Sequence, residues 1–423
     1  MRSTLFFIPH EILGYPLFGF GIALAFCVIS FVAWAIFQFG KGRAIDSVVG
    51  ALPMWGIAAI VIAFVLPQVE STWEDGEPIG LPIRGYGVLV LTGLLSGIAI
   101  SVHRGRQLGI APDTIIGLGF WMMVTGVVGA RAFFVIQKWE SDFAILEYQD
   151  RFAAIFKVTE GGLVIYGGVF GGLLAAVVYC WRFQLKPLAV ADLVGPGFLI
   201  GLAFGRIGCL LHGCCFGGIC DAPLPSITFP HGSGPYVAQL ADGSLLGLEL
   251  EDHNLPAPVE EVREGSLAAD RNVVAGQTVQ SIRWGTEPQN KERNPAWPPE
   301  VAAAVSLDGE YFAFATQDLP AQSLPIHPSQ IYSSINGFLL CLLLWALQPM
   351  PKRDGIAFCT GMILYAVSRF LLEGVRSDEG GQLGTPFSIA QLVGIFTILL
   401  CIAAIAVISR QPATRAWNWE AVK

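Results

Sequence analysis

Charge is what this chain has least of. Of 423 residues, 14% are Asp, Glu, Lys or Arg and 53% are hydrophobic, against roughly a quarter charged in soluble domains. That shortage excludes a water-soluble globular protein. Basic excess is missing too, with 25 Lys and Arg against 33 Asp and Glu and a net charge of -8, so no nucleic-acid partner is expected. No C-x-x-C pair occurs among the nine cysteines, which removes a common zinc and redox spacing.

What the chain has is apolar length. Nine stretches meet the roughly 20 residues that a crossing helix needs, at about 16–39, 46–68, 85–102, 113–136, 161–181, 188–211, 328–349, 355–373 and 386–409. The expected fold is therefore an all-α polytopic membrane protein. Every second link carries bases: Lys41 and Arg43, Arg104 and Arg106, Arg182 and Lys186, Lys352 and Arg353, Arg410 and Arg415. The positive-inside rule places those links in the cytoplasm, with the N-terminus outside and the C-terminus inside. "AWA" at 33–35 resembles a signal-peptide cleavage site, but the apolar run is too long and a second follows at once, so the first span is read as retained.

Between the sixth and seventh spans lies a polar insertion, about 218–326, rich in proline and acids. It is expected to form an extracytoplasmic loop domain, in which "YVAQLADGSLLGLEL" and "GEYFAFATQ" alternate enough to read as short strands.

Charges inside apolar stretches are costly and seldom face lipid. Arg84, Arg131, Arg206, Arg369 and Arg376 all fall at outer-leaflet depth in this topology, opposite to the side that favours loop arginines. Single arginines could snorkel or pair between helices; several at one depth point to an anion. In "YAVSRFLLEGVR", Tyr365, Arg369 and Glu373 are four residues apart and share a helical face. Glu373 can hold the Arg369 guanidinium, whose planar fork suits a phosphate, and the abundant phosphate at that depth is a phospholipid headgroup. "EGGLVIYGGVFGG" at 160–172 enters the fifth span through paired glycines that permit close backbone approach. "IHPSQIY" at 326–332 places Pro328 at the first helical position, with His327 and Gln330 as capping or hydrogen-bonding groups. Cys209, Cys214, Cys215 and Cys220 cluster at the end of the sixth span beside Arg206 and His212.

The ordered set "IRGYG" (83–87), "VGAR" (128–131), "GGLVIYGG" (161–168), "GRIGCLLHGCCFG" (205–217), "HPSQIY" (327–332) and "YAVSRFLLEGVR" (365–376) resembles the prolipoprotein diacylglyceryl transferases. The resemblance spans most of 83–409. It implies a seven-span core with the same orientation, so the chain divides into two extra N-terminal helices (1–68), a first core part (69–217), the insertion (218–326), and a second core part with a cytoplasmic tail (327–423). It also implies transfer of the diacylglyceryl group of phosphatidylglycerol to the lipobox cysteine thiol of a preprolipoprotein, in a bacterial cytoplasmic (inner) membrane. Membrane lipids surround the reaction, and no cofactor or metal is implied.

By that resemblance, Arg206 and Arg369 are the essential phosphate binders and leaving-group stabilisers. Tyr86 and Tyr365 lie near substrate, Glu373 orients Arg369, Arg131 contacts the headgroup and Gly217 makes a tight turn; Arg376 also faces phosphatidylglycerol. Two departures bear on the base. Tyr166 stands where the best-known members carry a histidine, and an ordinary phenol with a pKa near 10 is a poor base at neutral pH. Cys209 and Cys214 stand where those members have Asn and Glu, and His212 is an extra imidazole that could act as base. Two rival readings are a metal or thiol-redox site on the four cysteines and His212, with a disulfide to Cys220 favoured over a metal, and an anion transporter. The transporter would need polar groups continuing inward, of which Asp192 is the one found.

Overall fold

The computed structural model describes residues 4–40, 52, 55–56, 58–72, 78–143, 154–155, 162–220, 225–252, 255–284, 301–376 and 385–419. Eight helices among them are long and apolar enough to cross a membrane, which makes this a polytopic membrane protein. They are α1 (Ile22–Gly40), α2 (Gly85–Gln107), α3 (Pro112–Gln137), α4 (Ile165–Arg182), α5 (Pro187–His212) and, beyond the short α6 (Gly234–Ala241), α7 (Ser329–Leu347), α8 (Ile356–Glu373) and α9 (Ile389–Ser409). Much of the expected second span lies outside the described residues; its end is the shorter apolar helix Ala58–Val69. Side chains such as Leu342, Leu371, Phe396 and Leu399 are left exposed, as lipid-facing residues of spanning helices are.

The chain forms two compact units. One, Arg2–Val88 with Asp113–Leu185, contains α1, α3 and α4. Strands β1 (Thr4–Pro9) and β2 (Pro78–Arg84) pair antiparallel in it, with Thr4 opposite Arg84. Arg84 therefore ends a strand rather than opening a span. Helices α3 and α4 meet through glycine: a Cβ on Gly129 would run into the Gly167 carbonyl, and one on Gly171 into the Thr125 carbonyl. Close backbone approach of this kind is how small residues drive helix association in lipid.

The other unit, Leu89–Pro112 with Lys186–Lys423, is built round α5, the most buried of the eight spanning helices. Gly97 of α2 and Gly197 of α5 touch through their backbones; a Cβ on Gly97 would lie 2.5 Å from the Gly197 carbonyl oxygen. Leu199 and Ile200 of α5 pack with Cys341 and Leu344 of α7 and Ala357 of α8. Asp192, fully buried, accepts from the Gly355 and Phe358 N–H groups at the start of α8 (2.7 and 2.8 Å) and pairs with Arg415. The carboxylate thus satisfies orphan N–H groups of a helix start, a structural role rather than a step on a polar path for a permeating ion.

Within the insertion, five strands form an antiparallel meander: β3 (Leu248–Leu250), β4 (Ala257–Val262), β5 (Thr278–Trp284), β6 (Val301–Leu307) and β7 (Glu310–Ala315). Tyr236 and Leu240 of α6 pack with Leu246, Val259, Val279, Val305 and Phe314 in its core. The stretch 309–317 matches its expectation, being β7. The stretch 236–250 does not: most of it is α6 and a short 3-10 turn, and only Leu248–Leu250 is strand. Pro235 in the first turn favours a helix start, and Tyr236, Gln239 and Leu240 are buried at helical, not alternating, spacing.

Both ends of the insertion are tied together where it leaves and rejoins the helices. Gly217 N–H donates to the His327 carbonyl (3.2 Å), His327 N–H to Gly218 (3.0 Å), Cys220 N–H to Pro325 (2.9 Å), and Ile227 and Ile326 exchange bonds of 3.0 Å.

Candidate active site

At the end of the second unit nearest that neck, the C-terminus of α5, the N-terminus of α7 and the C-terminus of α8 converge. Gly213 caps α5 in the left-handed conformation, φ 80°, where a glycine has no Cβ penalty. The chain then turns through Cys214 and Cys215, the latter also left-handed (φ 57°), an uncommon conformation for a residue with a side chain. Helix α7 fixes this turn: Ser329 Oγ donates to the Cys215 carbonyl (2.8 Å) and Gln330 Nε2 to that of Cys214 (2.9 Å). The expectation for "HPSQ" shifts by one residue, since Pro328 is the cap and Ser329 the first helical residue. Gly217 sits against the α7 and α8 ends, where a Cβ would lie 2.6 Å from the His327 carbonyl and 3.1 Å from that of Val375.

From α8, Glu373 is buried and gathers three partners. It pairs with Arg369 one turn earlier, with Arg376 Nη1 at 3.7 Å, and its other oxygen accepts from Ser388 Oγ at 2.9 Å. Ser388 is itself the cap of α9, closing a capping box with Gln391. The S-x-x-Q pattern before an apolar run marks such a cap in the sequence; that its hydroxyl also grips Glu373 is not readable there. Tyr365 lies further up α8 against the α5–α7–α8 packing. An open cavity of about 480 Å³ is lined by Gly218, Ile219, His327, Tyr332, Gly374, Val375 and Arg376.

Arg206, one and a half turns before the end of α5, is half-buried. Among the described residues its guanidinium has no carboxylate or carbonyl partner, unlike that of Arg369. Its nearest chemistry is sulfur: Arg206 and Arg376 both act electrostatically on the Cys215 thiol. The Sγ atoms of Cys209, Cys214 and Cys215 all lie within 4.8 Å of one another. Hydrogen bonds from the Cys209 and Cys214 thiols, assisted by the two arginines, hold the Cys215 thiol well below its ordinary range. Cys214 is pushed upward by its bonds to Cys209 and Cys215.

One rival reading for this region changes, and His212 is now placed. The disulfide to Cys220 is not formed, because Cys220 is buried in the neck, bonded through its N–H to Pro325, and is not part of the sulfur trio. His212, the alternative base, is exposed at the last residue of α5 and also stands outside the trio.

Three expected site residues belong to the other unit. Arg131 on α3 donates to the backbone carbonyls of Ala154 (2.6 Å), Ile155 (2.9 Å) and Gly162 (3.1 Å) and lies over the Phe134 ring. Its guanidinium ties down the approach to α4, and a headgroup would have to share it with those carbonyls. Gly162 is left-handed (φ 73°) and a Cβ there would lie 2.5 Å from Phe134; Gly161 lies outside the described residues. Tyr166, in the first turn of α4, and Tyr86, in the first turn of α2, are both about 45% exposed.

A family model described as "Prolipoprotein diacylglyceryl transferase" matches residues 78–407. A phosphatidylglycerol–prolipoprotein diacylglyceryl transferase of Rhodopirellula baltica is 34% identical over 436 aligned positions, covering 94% of this chain and 87% of that protein. One from Bacillus mycoides is 26% identical over 81% of this chain and 93% of its own length. Another, from Clostridium perfringens, is 25% identical over 77% and 90%. With the motifs in order, the arginine–glutamate cluster at one end of α5 and α8, and a match over most of its length, this chain belongs to the prolipoprotein diacylglyceryl transferase family.

Proposed function

We propose that the protein transfers the diacylglyceryl group of phosphatidylglycerol to the lipobox cysteine thiol of a preprolipoprotein, at the outer leaflet of a bacterial cytoplasmic membrane. A carbon–sulfur bond forms at the glycerol carbon, the carbon–oxygen bond to phosphate breaks, and glycerol 1-phosphate leaves. The orientation rests on the alternation of basic links, which puts the neck and the convergent ends of α5, α7 and α8 outside.

The observation that carries the reading is Arg206: among the described residues, a half-buried guanidinium with no carboxylate partner, at the same helix ends as two arginines fixed by a buried carboxylate. Such a cation is available for a phosphate and becomes more useful as negative charge develops on the departing oxygen. Glu373 holds Arg369 and Arg376 in place, so that their remaining N–H groups require little reorganisation. Gly217 keeps the turn close to α7 and α8. Tyr365, Tyr86 and Arg131 are assigned to the lipid by family resemblance, Arg131 chiefly through the loop it ties. Tyr166 and His212 are the candidates for accepting the thiol proton within the family scheme.

Purified protein incubated with labelled phosphatidylglycerol and a lipobox peptide should yield the thioether adduct and glycerol phosphate. Loss of one well-placed donor to a developing oxyanion costs roughly 10²–10³ in rate, so Arg206→Ala should lower transfer at least that far with an unchanged melting temperature. Absence of transfer by the unaltered protein, where a family member works, would sink the reading. Comparing Tyr166→Phe with His212→Ala separates the two proton acceptors.

A further inference from the structure

The sulfur trio stands where the reading above needs a nucleophile activated, yet neither phenol nor exposed imidazole is a strong means of doing so. We propose that Cys209, Cys214 and Cys215 bind a zinc ion whose fourth position is taken by the substrate's lipobox thiol. The proposal rests on the transferase reading, since it names that substrate as the ligand.

Geometry supports it first. Zinc–sulfur bonds of about 2.3 Å at tetrahedral angles set sulfurs about 3.8 Å apart, and the three Sγ atoms already lie within 4.8 Å of one another. No histidine, carboxylate or fourth cysteine among the described residues joins them, which leaves the three-ligand, one-open pattern of catalytic rather than structural zinc.

Preorganisation supports it next. All three backbone carbonyls are pinned: that of Cys209 accepts from the Gly213 and Cys214 N–H groups (2.9 and 3.1 Å), that of Cys214 from Gln330 and that of Cys215 from Ser329. Gln330 is fully buried, and its Oε1 has no hydrogen-bond partner among the described residues, a buried acceptor that calls for a donor. Outer contacts of this sort orient metal ligands.

Charge and chemistry point the same way. Zinc with three thiolates carries one negative charge, and Arg206 and Arg376 lie near enough to Cys215 to act on it electrostatically. Binding of the lipobox thiol releases its proton to solvent, because a coordinated thiol is deprotonated outright. The sulfur lone pair then attacks the glycerol carbon and the carbon–oxygen electron pair leaves with the phosphate. A neutral thioether is a weaker ligand than a thiolate and departs, restoring the three-thiolate site. Nucleophile and leaving phosphate are bound to the same carbon in the transition state, so a metal beside Arg206 puts both on adjacent supports.

The test uses the full-length protein in nanodiscs. Metal analysis should find one zinc per chain, retained in Cys220→Ser and lost in Cys215→Ser. In Cys209→Asn/Cys214→Glu, which restores the residues of the best-known members, zinc should be lost with the fold preserved by circular dichroism. Cobalt loaded in place of zinc should give thiolate charge-transfer and tetrahedral d–d bands that shift with a lipobox peptide and not with its Cys→Ser analogue. Chelation should abolish transfer and zinc restore it. Full transfer by zinc-free protein would overturn the proposal while leaving the transferase reading standing, as would bound cobalt indifferent to the thiol peptide, or a disulfide within the trio that takes up no metal after reduction. Failure to transfer in either metal state would instead overturn the transferase reading, and the proposal with it.

Discussion

Glu373 shows how much one residue can organise and how much of that a sequence reveals. Its pairing with Arg369 follows from a spacing of four on a helix, and is legible in the sequence alone. Its hold on Arg376 and Ser388 depends on how α8 ends and where α9 begins, which no local pattern states. Glu373→Gln should therefore do more than weaken one pair: it leaves the nearly buried Arg369 guanidinium without its counter-charge and loosens the hold on Arg376. Removing one partner from a buried ion pair costs about 3–5 kcal/mol, so the melting temperature should fall markedly and transfer with it. Ser388→Ala removes a cap and one Glu373 bond, at a cost of about 1–2 kcal/mol, and transfer should decline less than in Glu373→Gln. Arg206 is legible because an arginine in an apolar run is conspicuous; that it has no carboxylate partner among the described residues emerges only from the packing.

Elements reveal a different limit. Spanning helices are readable because an apolar run of twenty residues has few alternatives, and α2, α3, α5, α7, α8 and α9 start or stop within a few residues of the expected bounds. α1 starts later than expected, at Ile22, because Tyr15–Pro16 is spent in a small hairpin with Glu11–Ile12. In the insertion, α6 defeats a strand reading because short amphipathic runs of small and apolar residues fit both periods. How the helices pack is hidden in glycines that composition alone does not distinguish. Gly197→Leu should overpack the α2–α5 crossing, and overpacking typically costs about 1–3 kcal/mol; lower yield and a lower melting temperature in detergent would show it, whereas Gly205→Ala, with open space around it, should be tolerated. Tyr236, buried with its hydroxyl on the Pro320 carbonyl at 2.9 Å, adds a pH effect. Burial raises its phenol above the ordinary value, so the unfolded chain ionises first as pH rises past about 10, and stability falls there by linkage. Tyr236→Phe should flatten that alkaline limb in a thermal-denaturation profile.

At the scale of the whole molecule, orientation and the end opposite the site become testable. Arg415, from the tail after α9, donates to the Gln348 and Pro351 carbonyls (2.9 and 3.2 Å) and pairs with Asp192 and Asp354, closing that end of the second unit. Arg415→Ala should lower the melting temperature, since it strips a cation from the buried Asp192 and the half-buried Asp354, while phosphatidylglycerol binding is retained. Reporter fusions placed in the insertion and at the C-terminus should report opposite sides of the membrane, the insertion outside.

The laced neck at residues 217–220, 227 and 325–327 has one more implication. Because the chain comes back to the point it left, with backbone bonds joining Cys220 to Pro325 and Gly218 to His327, the meander domain is a cassette on a closed clasp. A short turn bridging 220 to 325 would cut it out, or let a cargo domain of similar end spacing replace it, keeping the bonds of Ser329, Gln330 and Val375 to the chain around the sulfur turn while losing the close approach of Gly234 to Gly213. Such grafts would show whether the cassette selects among protein clients or simply shelters the entrance.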